Sequence, residues 1–223
     1  MKIAGKVFLV TGAGSGMGRE MAHQMIAKGA KVAALDIHLP QLLETQQICS
    51  ADETNFLPLE VDISDRAAVQ ALPEQVIKHF GQVDGVINNA GIIQPFVKVN
   101  DLSFEAIERV MQVNFFGSVA VVKAFLPHLL ARPEAHIVNI SSMGGFLPVP
   151  GQSIYGASKA AIKLFSEGLY AELKETAVRV TVVFPGAIAT NITANSGISV
   201  PSSSGSSGMT ALPATDAARI ILD

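Results

Sequence analysis

The chain has 223 residues, 49% of them hydrophobic and 16% charged, with a net charge of −3. That length suits one domain, and the apolar share with so little net charge excludes a disordered chain. A single cysteine, Cys49, excludes a disulfide scaffold, and 16 Lys+Arg against 19 Asp+Glu argues against nucleic-acid binding through a basic face.

Residues 7–10, Val-Phe-Leu-Val, read as a uniformly apolar strand of the kind buried in a parallel sheet. A glycine-rich stretch follows and opens a helix over 16–28. A second strand at 31–35 leads to a helix over 40–50. The third strand, 55–61, contains Pro58, which suggests a sheet edge. A helix over 65–80, a strand at 83–87 and a long helix over 104–130 come next. A strand at 136–140, a helix over 153–175 and a strand at 179–184 complete the series. Each helical segment carries apolar residues at three- and four-residue intervals. Strand and helix in alternation predict an α/β fold: a doubly wound parallel sheet in three layers, one domain. Residues 195–210 break the rhythm, rich in Ser and Gly with Pro201, and read as a mobile loop. Ser203 to Gly208 resembles an engineered linker. Helical signal resumes over 215–222, however, which favours a natural lid.

In an open parallel sheet, ligands bind beyond the carboxyl ends of the strands. Here those ends carry Thr11 to Gly18, then Asp36, Asp62, Asn88-Asn89-Ala90-Gly91, Ser141-Ser142 and Pro185-Gly186. All six are small or polar. Glycines let a backbone approach a pyrophosphate, and the following helix offers its free N–H groups. The usual G-x-G-x-x-G spacing does not fit, because Met17 or Arg19 stands where the last glycine belongs. The spacing present is T-G-x-x-x-G-x-G. Asp36 closes the second strand, where a carboxylate accepts hydrogen bonds from an adenosine ribose and repels a 2′-phosphate. Leu35 and Ile37 flank it and Ser15 is uncharged, which favours NAD over NADP.

Tyr155 and Lys159 lie four residues apart near the start of a predicted helix and share a face. A tyrosine hydroxyl is a poor base at neutral pH, and a neighbouring ammonium is expected to lower its pKa. Ser142 stands at a strand end, thirteen residues before Tyr155.

Together these residues resemble the short-chain dehydrogenase/reductase family over nearly the whole chain. The resemblance rests on Thr11-Gly12-x-x-x-Gly16-x-Gly18, Asp62, Asn88 to Gly91, Asn114, Ser142, Tyr155-x-x-x-Lys159, and Pro185-Gly186 followed by Thr190. It implies a Rossmann-like fold, a nicotinamide cofactor, and hydride transfer between an alcohol and a carbonyl. It also implies roles. Tyr155 would be the general acid/base, and Lys159 would hold the nicotinamide ribose. Ser142, rather than its neighbour Ser141, would bond the substrate oxygen, and Asn114 would support a proton-relay water. Gly12, Ser15, Gly16, Met17, Gly18, Asp36, Asp62, Ile63, Asn89, Ala90, Gly91, Pro185, Gly186, Ile188 and Thr190 would contact the cofactor.

The expected substrate pocket includes Ile93, Gln94, Phe96, Met143, Gly144, Phe146, Pro148, Val149, Ile188 and Ile192. Most are apolar, so a hydrophobic secondary alcohol or ketone fits best. His23, His38, His79, His128 and His136 show no metal-ligand spacing, and no metal is expected. The long helices carry more apolar surface than one sheet face needs, and the family's equivalents pair across two-fold axes, so a homodimer or homotetramer is expected. Members of the family continue into a further edge strand, and the expectation here is a chain lacking that C-terminal strand. No uninterrupted apolar run approaches the roughly 18–20 residues of a membrane span, and the first strand meets glycines too early for a signal peptide. A cytoplasmic setting without membrane attachment is the resulting expectation. Two other readings stay open: a dinucleotide-binding sensor without turnover, and a lyase or epimerase on the same scaffold.

Overall fold

The computed structural model describes residues 1–198 and 211–223. Six parallel strands form one sheet: β1 (Val7–Thr11), β2 (Lys31–Asp36), β3 (Phe56–Glu60), β4 (Gly85–Asn88), β5 (Ala135–Ile140) and β6 (Val178–Val183). Their order is β3-β2-β1-β4-β5-β6. β3 with Pro58 is indeed an edge. Chain order reverses between β1 and β4, where Val10 pairs with Ile87. That reversal leaves a crevice at the carboxyl ends.

Alternation along β1 shows why the strands are apolar throughout. Val7 and Leu9 face one core with Val69, Leu72, Val121, Phe125 and Leu169. Phe8 and Val10 face the opposite core with Met21, Met25, Leu42 and Ala218. Both faces are covered, so neither can be polar. The first core lies under α3 (Arg66–Phe80), α5 (Ser118–Leu130) and α6 (Ser153–Glu172). The second lies under α1 (Gly16–Ala27), α2 (Leu39–Ile48) and α8 (Ala214–Leu222). This is the expected three-layer arrangement. Asp65 starts α3 by accepting the N–H groups of Ala67 (2.9 Å) and Ala68 (3.1 Å). Asp84, fully buried at the amino end of β4, accepts from Val7 N (2.9 Å) and Arg132 Nε (2.8 Å), so it ties the sheet together.

The segment expected as one helix over 104–130 is continuous but not uniform. α4 (Phe104–Met111) and α5 are joined by a π-helical stretch, Gln112–Gly117. Such stretches insert an extra residue per turn and recur at functional sites. Among the described residues, this 27-residue unit, Phe104–Leu130, is long and apolar enough to cross a membrane. That corrects the expectation that no segment reaches that length. The expectation counted unbroken apolar runs, whereas the helix sums over scattered polar residues. Val121, Val122, Phe125 and Leu129 are buried against the sheet, as in the core helix of a globular domain.

Candidate active site

A cavity of about 420 Å³ opens beyond the ends of β1, β2 and β4. Its wall contains Gly12, Ser15, Gly16, Met17, Asp36, Asp62, Ile63, Asn89, Ala90, Gly91 and Thr190, all expected as cofactor contacts. The volume lies within the usual range of ligand pockets. Gly18, Tyr155, Lys159, Pro185, Gly186 and Ile188 lie outside this wall. Gly18 belongs instead to the loop's own packing. A Cβ there would sit 2.0 Å from the Gly12 carbonyl oxygen, so only glycine lets the helix start so close to β1. Gly12 itself has φ +66°, a left-handed conformation that suits glycine.

The loop is pinned from two sides. The Thr11 hydroxyl accepts the N–H groups of Asn89 and Ala90, both at 3.0 Å. Asn89 Nδ2 donates back to the Thr11 carbonyl at 2.9 Å. On the other side, Asp36 Oδ2 accepts from Gly14 N at 3.0 Å and its Oδ1 from His38 N at 3.2 Å. Asp36 is therefore bound to the glycine loop and is not a cap for α2, whose N-cap is His38. No acidic residue stands in the first turn of α1, so its free N–H groups and positive end face the cavity unopposed. Glycine backbone, helix N-terminus and a carboxylate at the adjoining strand end fit a nicotinamide dinucleotide: its pyrophosphate at the first two, its adenosine ribose at the third.

Residues beyond the expected cofactor contacts also line the cavity, Ile192 of the expected substrate pocket among them. Arg109, Gln112 and Val113 reach it from α4 and the π-helical stretch, and Asn191, Ile192 and Asn195 from the segment after β6. Within that segment, a short helix, α7 (Ile192–Asn195), is clasped over the opening. Asn195 Nδ2 donates to Ser15 Oγ at 2.8 Å, and Ser196 Oγ accepts from Ile93 N at 3.0 Å. These residues begin the expected lid; its remainder, 199–210, lies outside the described residues.

None of the four expected catalytic side chains is part of that wall: Lys159 and Asn114 stand behind Gly91, while Ser142 and Tyr155 pack on Gly144, which lines a second, neighbouring pocket. Ser142 follows β5, and its hydroxyl accepts from Gly144 N at 3.0 Å. Gly144 packs between Ser142 Oγ and the Tyr155 ring, each 3.4 Å from the place its Cβ would occupy. Ser141, the competing serine, turns away and donates to the Lys159 carbonyl at 2.8 Å. Lys159 is buried, and its Nζ donates to the Ile140 carbonyl at 2.9 Å. A Cβ on Gly91, in the cavity wall, would lie 3.2 Å from Lys159 Nζ and 3.3 Å from Asn114 Oδ1. Gly91 thus links the cavity to both. Asn114, in the π-helical stretch, accepts from Ile92 N (2.8 Å) and donates to Ile92 O (2.9 Å) and Ser158 Oγ (3.0 Å).

Electrostatics here depart from the expectation. Burial pushes the Tyr155 phenol above its ordinary value, and the hydrogen bond with Ser142 opposes this in part. Burial lowers Lys159 to about 8. The neighbouring ammonium does not bring the phenol below its usual range. Its Nζ is held on the Ile140 carbonyl, 6.0 Å from the ring centre, and desolvation outweighs it. Among the described residues, no group of three or more His, Cys, Asp or Glu side chains could hold a metal ion.

Residues 6–199 match the short chain dehydrogenase family. The chain belongs to the short-chain dehydrogenase/reductase family. SadH of Mycobacterium tuberculosis, named as an oxidoreductase, is 42% identical over 193 residues, covering 86% of this chain and 70% of SadH. Mouse dehydrogenase/reductase SDR family member 7B is 38% identical over 193 residues, covering 85% of this chain and 59% of that protein. Among solved structures, a short-chain dehydrogenase/reductase from Burkholderia phymatum in complex with NAD is similar with a TM-score of 0.89 and 30% identity. That similarity covers 99% of this chain and 85% of the other. A short-chain dehydrogenase from Burkholderia cenocepacia in complex with NADP gives a TM-score of 0.81 at 30% identity, covering 100% and 84%. This short-chain dehydrogenase/reductase is therefore an oxidoreductase with a fold that binds NAD or NADP.

Proposed function

We propose that the protein transfers a hydride between NAD(H) and a hydrophobic secondary alcohol or ketone, with Tyr155 as general acid/base. The observation that carries this is that Lys159 stands behind Gly91 of the cavity wall, one helical turn after Tyr155, whose ring packs with the Ser142 hydroxyl on Gly144. A bound nicotinamide ring would supply the hydride acceptor in oxidation and the donor in reduction. Tyr155 would exchange the proton with the substrate oxygen, and the Ser142 hydroxyl would donate to that oxygen as charge develops. Lys159 would place its ammonium beside the ribose. Asn114 would fix the loop carrying Ile92 against the helix that carries Tyr155.

Because burial holds the phenol above its ordinary value, Tyr155 is protonated at neutral pH and ready to donate. Carbonyl reduction should therefore hold steady through neutral pH, while alcohol oxidation should rise as the solution becomes alkaline.

The NAD preference rests on Asp36. Arg19, the cation beside the glycine loop, is engaged by the Gly14 carbonyl, Thr45 and Glu44, and it is not part of the cavity wall. The apolar substrate reading rests on Met143, Phe146, Leu147 and Val149, large side chains left exposed on the segment after Ser142. Leu164 and Tyr170 on α6, and Phe104 on α4, are exposed as well, and this surface supports association into a homodimer or homotetramer.

The test is a panel of secondary alcohols with NAD and of ketones with NADH, followed by nicotinamide absorbance. Turnover of an apolar pair would support the reading. NADH binding with no turnover of any pair would favour the dinucleotide-binding sensor. Conversion of a compound without net change in the cofactor would favour the epimerase.

A further inference from the structure

Tyr155 is the third residue of α6. The first N–H groups of a helix have no acceptor within it and need partners from elsewhere. The residue at the N-cap, Gln152, makes no side-chain cap bond. The partner comes from a distant segment. Gln94 Oε1 accepts the N–H of Ile154 at 2.7 Å and the N–H of Tyr155 at 3.0 Å. Gln94 is fully buried, and Gln152 Nε2 fixes its backbone by donating to the Gln94 carbonyl at 2.7 Å.

The other end of the Tyr155 backbone is held too. Ser158 Oγ donates to the Tyr155 carbonyl at 2.7 Å and accepts from Asn114 Nδ2 at 3.0 Å. Asn114 in turn grips both the N–H and the carbonyl of Ile92, two residues before Gln94. Hydrogen bonds together with the backbone from Ile92 to Gln94 thus form a closed circuit that begins and ends on Tyr155. Gln94 closes it on one side and Asn114 with Ser158 on the other.

The chemistry of Gln94 points the same way. Its Nε2 is buried with no partner, as is Gln152 Oε1. An orphaned buried donor is destabilising, so an apolar side chain would serve simple packing better. The amide oxygen is the part in use. A glutamate would reproduce that oxygen and add charge where the helix dipole favours it.

We propose that Gln94 is the positioning residue of the acid/base tyrosine, fixing where the Tyr155 phenol stands relative to Ser142 by capping its helix from the loop after β4. The role rests on the reading of Tyr155 as the acid/base group, but its geometry can be measured without substrate. The chain has no tryptophan and two tyrosines, and Tyr170 is exposed on α6. In a Tyr170→Phe background, the near-ultraviolet tyrosine band of circular dichroism comes from Tyr155 alone. Its intensity reports how firmly that ring is held.

Gln94→Asn keeps the amide but is one methylene too short to reach both N–H groups. It should lose most of the band and about tenfold or more of turnover, with NADH affinity unchanged. Gln94→Glu should keep the band and recover turnover. The proposal is overturned if Gln94→Asn retains the band and the parent's turnover, or if Gln94→Glu loses the band as fully as Gln94→Asn. Loss of NADH binding together with the band in Gln94→Asn would assign Gln94 to general folding and overturn it too. A failed acid/base assignment would show differently: Tyr155→Phe would stay active whatever the band did in the Gln94 variants.

Discussion

Asp36→Asn separates the two cofactors most cleanly. The carboxylate lines the cavity and is fixed by the N–H groups of Gly14 and His38. The 2′-phosphate of NADPH carries about −1.5 to −2 charges at neutral pH. At about 5 Å and an effective dielectric of about 20, each unit pair repels by about 3 kcal/mol. Asp36 is partly exposed, and salt lowers the net penalty to about 1.5–3 kcal/mol. That corresponds to roughly 10–100-fold weaker binding of NADPH than of NADH. In Asp36→Asn the repulsion disappears. NADPH should bind roughly 10–100-fold more tightly. NADH should weaken by about 1 kcal/mol, because a charge-assisted hydrogen bond becomes a neutral one. The assay is titration followed by the fluorescence of the reduced nicotinamide, free of tryptophan background. Equal affinities in the parent, or an unchanged ratio in Asp36→Asn, would show that Asp36 does not discriminate between the cofactors.

Two further outcomes follow from burial and close packing. Lys159 is lowered to about 8 by burial from its ordinary 10.5. The unfolded chain therefore holds this proton more tightly, and stability from this group rises with pH between those values. Below about pH 8 burial of the ammonium costs about 3 kcal/mol, partly offset by its bond to the Ile140 carbonyl. Lys159→Met should therefore melt higher than the parent at neutral pH, with the margin fading toward pH 10.5, while turnover is lost. A constant margin across that range would contradict this. Gly18→Ala would place a Cβ 2.0 Å from the Gly12 oxygen and 2.6 Å from Asn89 Nδ2. Relief of the overlap must open the loop at a cost of a few kcal/mol, so Tm should fall by about 5–10 °C. NADH binding should be lost with it, and retention of both would show that the loop tolerates the shift.

What could be read from the sequence, and what could not, divides along the range of the interactions involved. The strands were legible because both sheet faces are covered, which leaves runs such as 7–10 apolar throughout. The edge position of β3 was legible from Pro58, and the cavity from the small residues at the strand ends. Local tightening moved some helix ends: α6 stops at Glu172, and the chain then turns as Thr176 N bonds the Leu173 carbonyl. The π-helical stretch around Asn114 was not legible, because one extra residue per turn is lost within a 27-residue apolar pattern. Tyr155 and Lys159 were found by spacing, yet their electrostatics were not. Where the Lys159 ammonium goes depends on a carbonyl 19 positions away, and helical spacing carries no information about it. Thr11 and Gln94 were missed as organisers for the same reason. Their partners lie 78 and 61 residues off, and the glycine-loop spacing that contains Thr11 carries no information about them.

In the proposed reaction Tyr155 moves the proton and a nicotinamide cofactor exchanges the hydride. The most direct test is Tyr155→Phe, measured for NADH affinity and for turnover of the best substrate from the alcohol and ketone panel. The aromatic ring stays and only the hydroxyl goes, so the cavity wall, which does not include Tyr155, is untouched. NADH binding should equal the parent's and turnover should fall by about 100-fold or more, the usual reach of a positioned proton donor. Near-parental turnover with intact NADH binding would contradict that role for Tyr155.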